Sequence, residues 1–217
     1  MIYNSLQEGA EARRLTILGG FHPGPEDQLP DTCQTLLLLG PDEPRFWPAF
    51  TQSPEWMDGH PDPVDRWSRR VIGAWANELD ATPLYPFGGP PYQPFYTWAL
   101  KTGRIHVSPV QFLVHDQAGL FVSFRGALAL PQRIDLPATG PSPCAGCQAQ
   151  PCRTACLSGA LNPEGYDVPA CQAFLQTDAG AENMTKGCAV RHSCPVSQKF
   201  GRLEAQSAYH MDQFRKG

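Results

Sequence analysis

Before residue 137 the apolar positions follow two different periodicities. Val64, Trp67, Val71, Ile72, Trp75 and Leu79 recur at helical spacing, while Arg66, Arg69, Arg70 and Glu78 lie largely off that face. Pro63 suits a first helical position, where no amide hydrogen is needed, and Asp62 is placed to accept from the first free amides. This pattern predicts an amphipathic helix from Pro63 to Leu79. Residues 34–39 (Gln-Thr-Leu-Leu-Leu-Leu) form an unbroken apolar run closed by Gly40-Pro41, as a buried strand requires. Val110 to His115 and Leu120 to Leu130 read as paired strands joined across Asp116 to Gly119. Leu120, Val122, Phe124, Leu128 and Leu130 share one face, with Gly126 as a gap and Ser123 and Arg125 opposite. The aromatic segment Pro90 to Trp98 leads into a short helix ending near Gly103. Near the end of the chain, Ala208 to Phe214 suits a short helix that packs Tyr209 or Phe214 onto the region before it. A strand and hairpin packed with helices make a sheet-based α/β domain able to bury a core.

Composition supports a folded chain. Its 217 residues suit one large domain or a domain with a small appendage, and 41% apolar content is enough for a core. The 23 prolines and 20 glycines predict short, firmly punctuated elements. Net charge is −4, and Arg13-Arg14 and Arg69-Arg70 are isolated basic pairs, so no nucleic-acid footprint is expected. Met1 to Arg14 holds no apolar signal core, and the Leu36 to Leu39 run is too short to span a bilayer. A cytoplasmic protein without membrane association is therefore expected.

That compartment gives meaning to the eight cysteines. Only Cys33 precedes Cys144; the other seven lie between Cys144 and Cys194. Pro137-Ala-Thr-Gly-Pro-Ser-Pro143 separates the two regions, which predicts an α/β sheet domain over 1–136 and a small cysteine-rich module over 137–217. In a reducing cytosol a dense cysteine cluster points to metal rather than to disulfides.

The run is Cys144-Ala-Gly-Cys147-Gln-Ala-Gln-Pro-Cys152-Arg-Thr-Ala-Cys156, followed by Cys171, Cys188 and Cys194-Pro195. A 4Fe-4S cluster takes four soft thiolates, commonly three from one tight loop and one from a distant Cys-Pro. Cys144, Cys147, Cys152 and Cys194 meet that requirement. Cys156, Cys171 and Cys188 remain for a second cluster, which then lacks one ligand; His192, Cys33 or a solvent species are the candidates for it. Two cysteine pairs also suit structural zinc, and disulfides remain open if the chain is exported. Four residues separate Cys147 from Cys152 where bacterial ferredoxins have two.

Beyond the cysteines, Thr97-Trp-Ala-Leu-Lys-Thr-Gly103, Val110 to His115 and Gly119 to Leu130 resemble epoxyqueuosine reductase and its reductive-dehalogenase relatives. Asp62-Pro-Val-Asp65, Phe124-Arg-Gly-Ala127 and Leu130-Pro131 are similar to the cobalamin-processing decyanase family. The resemblance implies an α+β architecture: a nitroreductase-derived, cobalamin-processing-like α/β sheet domain followed by a ferredoxin-like module. It also implies capacity for a large redox cofactor, a corrinoid or flavin. Three departures limit what transfers. Leu84-Tyr-Pro-Phe-Gly-Gly-Pro90 holds no acid where the reductases carry a proton donor, and the sequence ends soon after Cys194 without a tRNA-binding helical-repeat tail. The second cysteine of the late motif is replaced, near Arg191. Epoxyqueuosine reduction itself is not expected.

Other residues invite bland readings. Gly19 to Gly24 suits a plain turn better than a phosphate loop. Cys33 reads as a small buried hydrophobe, and His106 and His115 as structural histidines. Arg125 suits either a phosphate or amide anchor or an exposed charge, and Tyr92, Phe95, Tyr96 and Trp98 suit core packing better than cofactor stacking. Two functional classes follow. One is an electron carrier or oxidoreductase subunit passing single electrons to a flavin, a corrinoid, a small-molecule acceptor or a redox partner protein. The other is a binding module that cluster or zinc merely staples.

Overall fold

A computed structural model describes residues 2–162 and 165–216. Its helices are α1 (Tyr3–Ala12), α2 (Phe46–Phe50), α3 (Pro54–Met57), α4 (Pro63–Glu78), α5 (Phe95–Lys101), α6 (Val168–Phe174), α7 (Ala181–Lys186), α8 (Ala189–Ser193) and α9 (Glu204–Lys216). Its strands are β1 (Leu15–Phe21), β2 (Thr35–Pro41), β3 (Thr82–Leu84), β4 (Ile105–Val107), β5 (Leu113–His115), β6 (Gly126–Leu130), β7 (Leu161–Asn162) and β8 (Gly165–Tyr166). The chain is mixed α/β with small antiparallel sheets. It divides into two compact units: Met1–Ile105 with Ser123–Gly140, and His106–Val122 with Pro141–Gly217. The segment His106–Val122, which the sequence reading places before the boundary at 137, lies in the second unit.

In the first unit an antiparallel sheet runs β1-β2-β6-β3. Leu36, Leu37, Leu38 and Leu39 are all fully buried, so β2 is covered on both faces. An apolar run without alternation is what such a central strand needs, and each buried leucine contributes roughly 2 kcal/mol. Helix α4 buries Val64, Trp67, Ile72 and Trp75, while Val71 and Leu79 sit at the margin of that stripe. Its N-terminus corrects one expectation. Asp62 is left-handed (φ 53°) and its side chain caps no amide. Arg66 organises this turn instead, donating to the Pro61 carbonyl at 2.9 Å and pairing with Asp58 at 2.7 Å.

Gly19 and Gly20 lie within β1 rather than in a turn. A side chain at Gly20 would come within 2.8 Å of the Leu36 carbonyl, so the small residue permits close strand approach. The Gly24 amide donates to the Asp27 carboxylate at 2.8 Å, which places an acid where a phosphate would need to sit.

The second unit is built from short pieces: the β4-β5 hairpin, the β7-β8 hairpin, helices α6 to α9 and 3-10 turns at Pro151–Arg153 and Ser197–Lys199. The hairpin expected between 110 and 130 does not form. β5 pairs with β4, a single bridge joins His115 to Gly119, and β6 pairs with β2 and β3 in the other unit. Residues 126–130 are buried at every position, so their apparent alternation does not mark one wet and one dry face. Among the described residues, no helix is long and apolar enough to cross a membrane.

Candidate functional site

The cysteine loop starts where Pro141 and Pro143 forbid regular structure. Ser142 then nucleates a turn: its hydroxyl accepts from the Cys144 amide at 3.3 Å and its carbonyl from the Ala145 amide at 3.0 Å. The Cys147 amide closes a second turn on the Cys144 carbonyl at 3.2 Å. Left-handed Gln150 reverses the chain into the 3-10 turn that carries Cys152. Cys194 comes from the end of α8, and Pro195 after it prevents that helix from continuing.

These four cysteines line one cavity of about 460 Å³, walled elsewhere by apolar residues such as Pro109, Val114, Leu120 and Val196. Cys152 and Cys194 are buried with Val114, Leu120 and Val190, and Cys144 packs against that group. Burial pushes the Cys144 thiol up; Cys152 and Cys194 push it further, while Ser142 draws it down and Cys147 adds a smaller push up. Burial also pushes Cys152 up, with Cys194 the next cause. Cys147, Cys152 and Cys194 thus lie near enough to oppose the ionisation of Cys144, and Cys147 and Cys194 that of Cys152.

Among the described residues, no three His, Cys, Asp or Glu side chains converge as a single metal ion would require. Thiolates around one zinc stand roughly 3.8 Å apart, given bonds of about 2.3 Å in a tetrahedron. A cuboidal cluster assigns each thiolate to a different iron and spreads the same four ligands more widely. The cavity lining offers four thiols and no His, Asp or Glu side chain, a soft donor set.

The remaining three cysteines of this unit sit on separate short segments. Burial opposes ionisation of Cys156, but the Ser158 hydroxyl and the amides of Leu161, Ser158 and Ala160 outweigh it and bring the thiol down. Cys171 lies on α6; burial pushes it up, the Tyr166 hydroxyl pulls it down, and Cys188 and Cys156 push it up. Cys188 precedes α8 as its N-cap residue. One turn later the Arg191 guanidinium donates to the Leu120 carbonyl and lies 4.9 Å from the centre of the Phe112 ring. Tyr166 meets Phe112 edge-on at 5.5 Å and stacks with Phe214 of α9 at 6.2 Å.

His192, the residue considered as a further ligand, places its Nε2 2.6 Å from the Lys186 carbonyl and its ring 4.9 Å from that of Phe121. Cys33 belongs to the first unit, where burial pushes its thiol up to about 11. His115 accepts two backbone amides at Nδ1, from Gln117 and Ala118, which is a structural task. His106 lies on β4. Phe95 and Trp98 are core residues, while Tyr92 and Tyr96 are exposed. Arg125 bonds the Ser123 hydroxyl at 3.2 Å. Sequence reasoning missed Tyr166, Phe112 and Ser158. The one signal for Tyr166 was an isolated aromatic residue between Cys156 and Cys171. Comparisons with protein-family models, with curated proteins and with solved structures gave no match for this chain.

Proposed function

We propose that the second unit binds a 4Fe-4S cluster through Cys144, Cys147, Cys152 and Cys194, and that the protein is a ferredoxin-like electron carrier or oxidoreductase subunit. The observation that carries this reading is four thiols on the wall of one largely apolar cavity. When bound, such a cluster takes up and releases single electrons. The chain's own residues do the rest. Ser142 folds the loop that presents Cys144, and Pro109, Val114, Leu120 and Val196 give the thiols an apolar wall. Low polarity around the sulfurs and hydrogen bonds to them are the protein's means of setting a potential. The resemblance to the epoxyqueuosine reductase and cobalamin-processing group supports a nitroreductase-like sheet domain and a ferredoxin-like module in one chain. It also suggests a flavin, a corrinoid or a partner protein as the acceptor.

A second reading has its own observation. Cys152 and Cys194 are part of the hydrophobic core of this unit, so a cluster or zinc there would also staple the fold. Purification without oxygen, a visible spectrum, and assays of iron, acid-labile sulfide and zinc separate these readings. Broad visible absorption that bleaches reversibly with dithionite, with about four irons or more per chain, supports electron transfer. Colourless protein carrying zinc overturns the cluster. A coloured protein that loses its fold on cluster removal and reduces no acceptor favours the staple.

A further inference from the structure

Ser108 lines the cavity of the four thiols and has no visible task there. It follows β4 directly, and its backbone is already satisfied. Its amide donates to the Phe112 carbonyl at 2.8 Å, and its carbonyl accepts from the amide of left-handed Gln111 at 2.9 Å. A turn serine commonly folds its hydroxyl back onto a neighbouring backbone group. Here that does not happen, and Pro109 beside it has no amide hydrogen to offer. Ser108 is 5% exposed, and its hydroxyl oxygen is buried without a hydrogen-bond partner among the described residues, the four thiols included. The other polar side chains of the wall differ: Gln148 is exposed, and Gln150 accepts from the Arg153 guanidinium. A buried hydroxyl with no acceptor costs stability that an alanine would not cost. An acceptor that arrives with a ligand accounts for it.

We infer that the Ser108 hydroxyl donates a hydrogen bond to sulfur of the cluster held by Cys144, Cys147, Cys152 and Cys194, and thereby raises its reduction potential. This inference rests on the iron–sulfur reading of that site. A zinc ion brings no lone pair of its own, whereas a cluster brings inorganic sulfide as an acceptor. A serine hydroxyl turns about one bond and its proton about the next, so a wall residue can meet an acceptor placed in the cavity. The reduced cluster carries one more negative charge than the oxidised one, and a hydrogen-bond donor favours the more negative form. One electron comes from the reductant, and the serine keeps its proton. Ser108 ligates no iron; it sets how readily the electron is accepted.

The test is a dithionite titration of the whole chain, purified without oxygen, with redox dyes as the reference and iron and sulfide assayed on the same sample. In Ser108→Ala the ratio of reduced to oxidised cluster at a fixed potential should fall about tenfold, a negative shift of about 59 mV for one electron. Ser108→Thr keeps the hydroxyl and should hold the wild-type potential. Ser108→Val has the shape of threonine without the hydroxyl and should fall as alanine does. Both suit the extended backbone that Pro109 favours at this position, and this pair decides the matter if Ser108→Ala does not fold. Variants that keep their iron and share the wild-type potential would overturn the inference while sparing the cluster. An equal drop in threonine and valine would overturn it too, because packing rather than the hydroxyl would then set the potential. A chain that carries zinc, or no iron, overturns the cluster reading and this inference with it.

Discussion

Ser197 ties the distant cysteine of the first site to the wall of its cavity. It follows Cys194 by three residues, is 2% exposed, and its hydroxyl accepts from the Leu120 amide at 2.8 Å. Leu120 is itself buried and lines the cavity with Cys194. The chain arrives there through Gly119, whose left-handed φ of +57° leaves no room for a side chain against Ser197. Replacing Ser197 with alanine therefore strands a buried amide donor, at a cost of about 1–3 kcal/mol. If that cost falls on the local opening that exposes Leu120, its exchange should speed by about 5- to 150-fold. The assay is hydrogen–deuterium exchange resolved at Leu120, with Gln198→Ala as the exposed neighbouring control. On the proposed cluster reading, iron loss to a chelator should accelerate in the same variant, because the loop that presents Cys194 is loosened. Leu120 exchange within about twofold of wild type would refute the argument, since it would mean that the amide finds another acceptor at no cost.

Three further outcomes concern the first unit. Glu55 is buried and holds Arg70, one contact measuring 2.9 Å, but the arginine side chain is half exposed, so Glu55→Gln should cost only about 1 kcal/mol in urea denaturation. Its hydrogen bonds to Arg70 hold the Glu55 carboxyl below the usual range, so the difference from wild type should be present above the ordinary glutamate value and vanish as pH falls through the lowered one; a constant difference would discount the ion pair. In Gly40→Ala the new Cβ would stand 2.5 Å from Leu18 Cδ1 and 2.8 Å from the Ser123 carbonyl, and a loss of about 1–3 kcal/mol is expected; wild-type stability would show that the sheet yields there. Burial raises Cys33 from 9.0 to about 11, so iodoacetamide should modify it about 100-fold more slowly at pH 8 than a cysteine peptide, by peptide mapping. The stabilisation linked to that shift is complete below the unfolded thiol value and disappears as pH rises through about 11; alkylation at the peptide rate would contradict the burial.

The clearest signals in the sequence were those whose cause is local. A proline at the first position and tryptophans at helical spacing mark α4, and an unbroken leucine run marks a strand covered on both faces. The hairpin misreading has the opposite origin. Between Leu120 and Leu130 the apolar alternation is interrupted only at Gly126, yet the chain leaves the second unit at Val122 and enters the first at Ser123. No proline or glycine marks that passage, because the change of partner is a tertiary event and costs the backbone nothing special. Asp62 failed as a cap for a related reason. The caps available to a sequence compete, and Arg66, with its several donors, binds the Pro61, His60 and Glu55 carbonyls and so sets the turn.

The cysteines divide along the same line between local and distant causes. Spacing alone singled out Cys144, Cys147 and Cys152, and the late Cys-Pro supplied Cys194; these four share one cavity. The ring around the other three was not legible, because Phe112, Tyr166 and Arg191 come from segments far apart in the chain. What the sequence does display three residues after Cys188 is an arginine, where the resemblance implies a thiol. Read as a missing ligand, it counts against a second cluster. Read with its guanidinium donating to the Leu120 carbonyl and lying over the Phe112 ring, it is a structural cation of the second unit, a task that the cysteine spacing does not reveal.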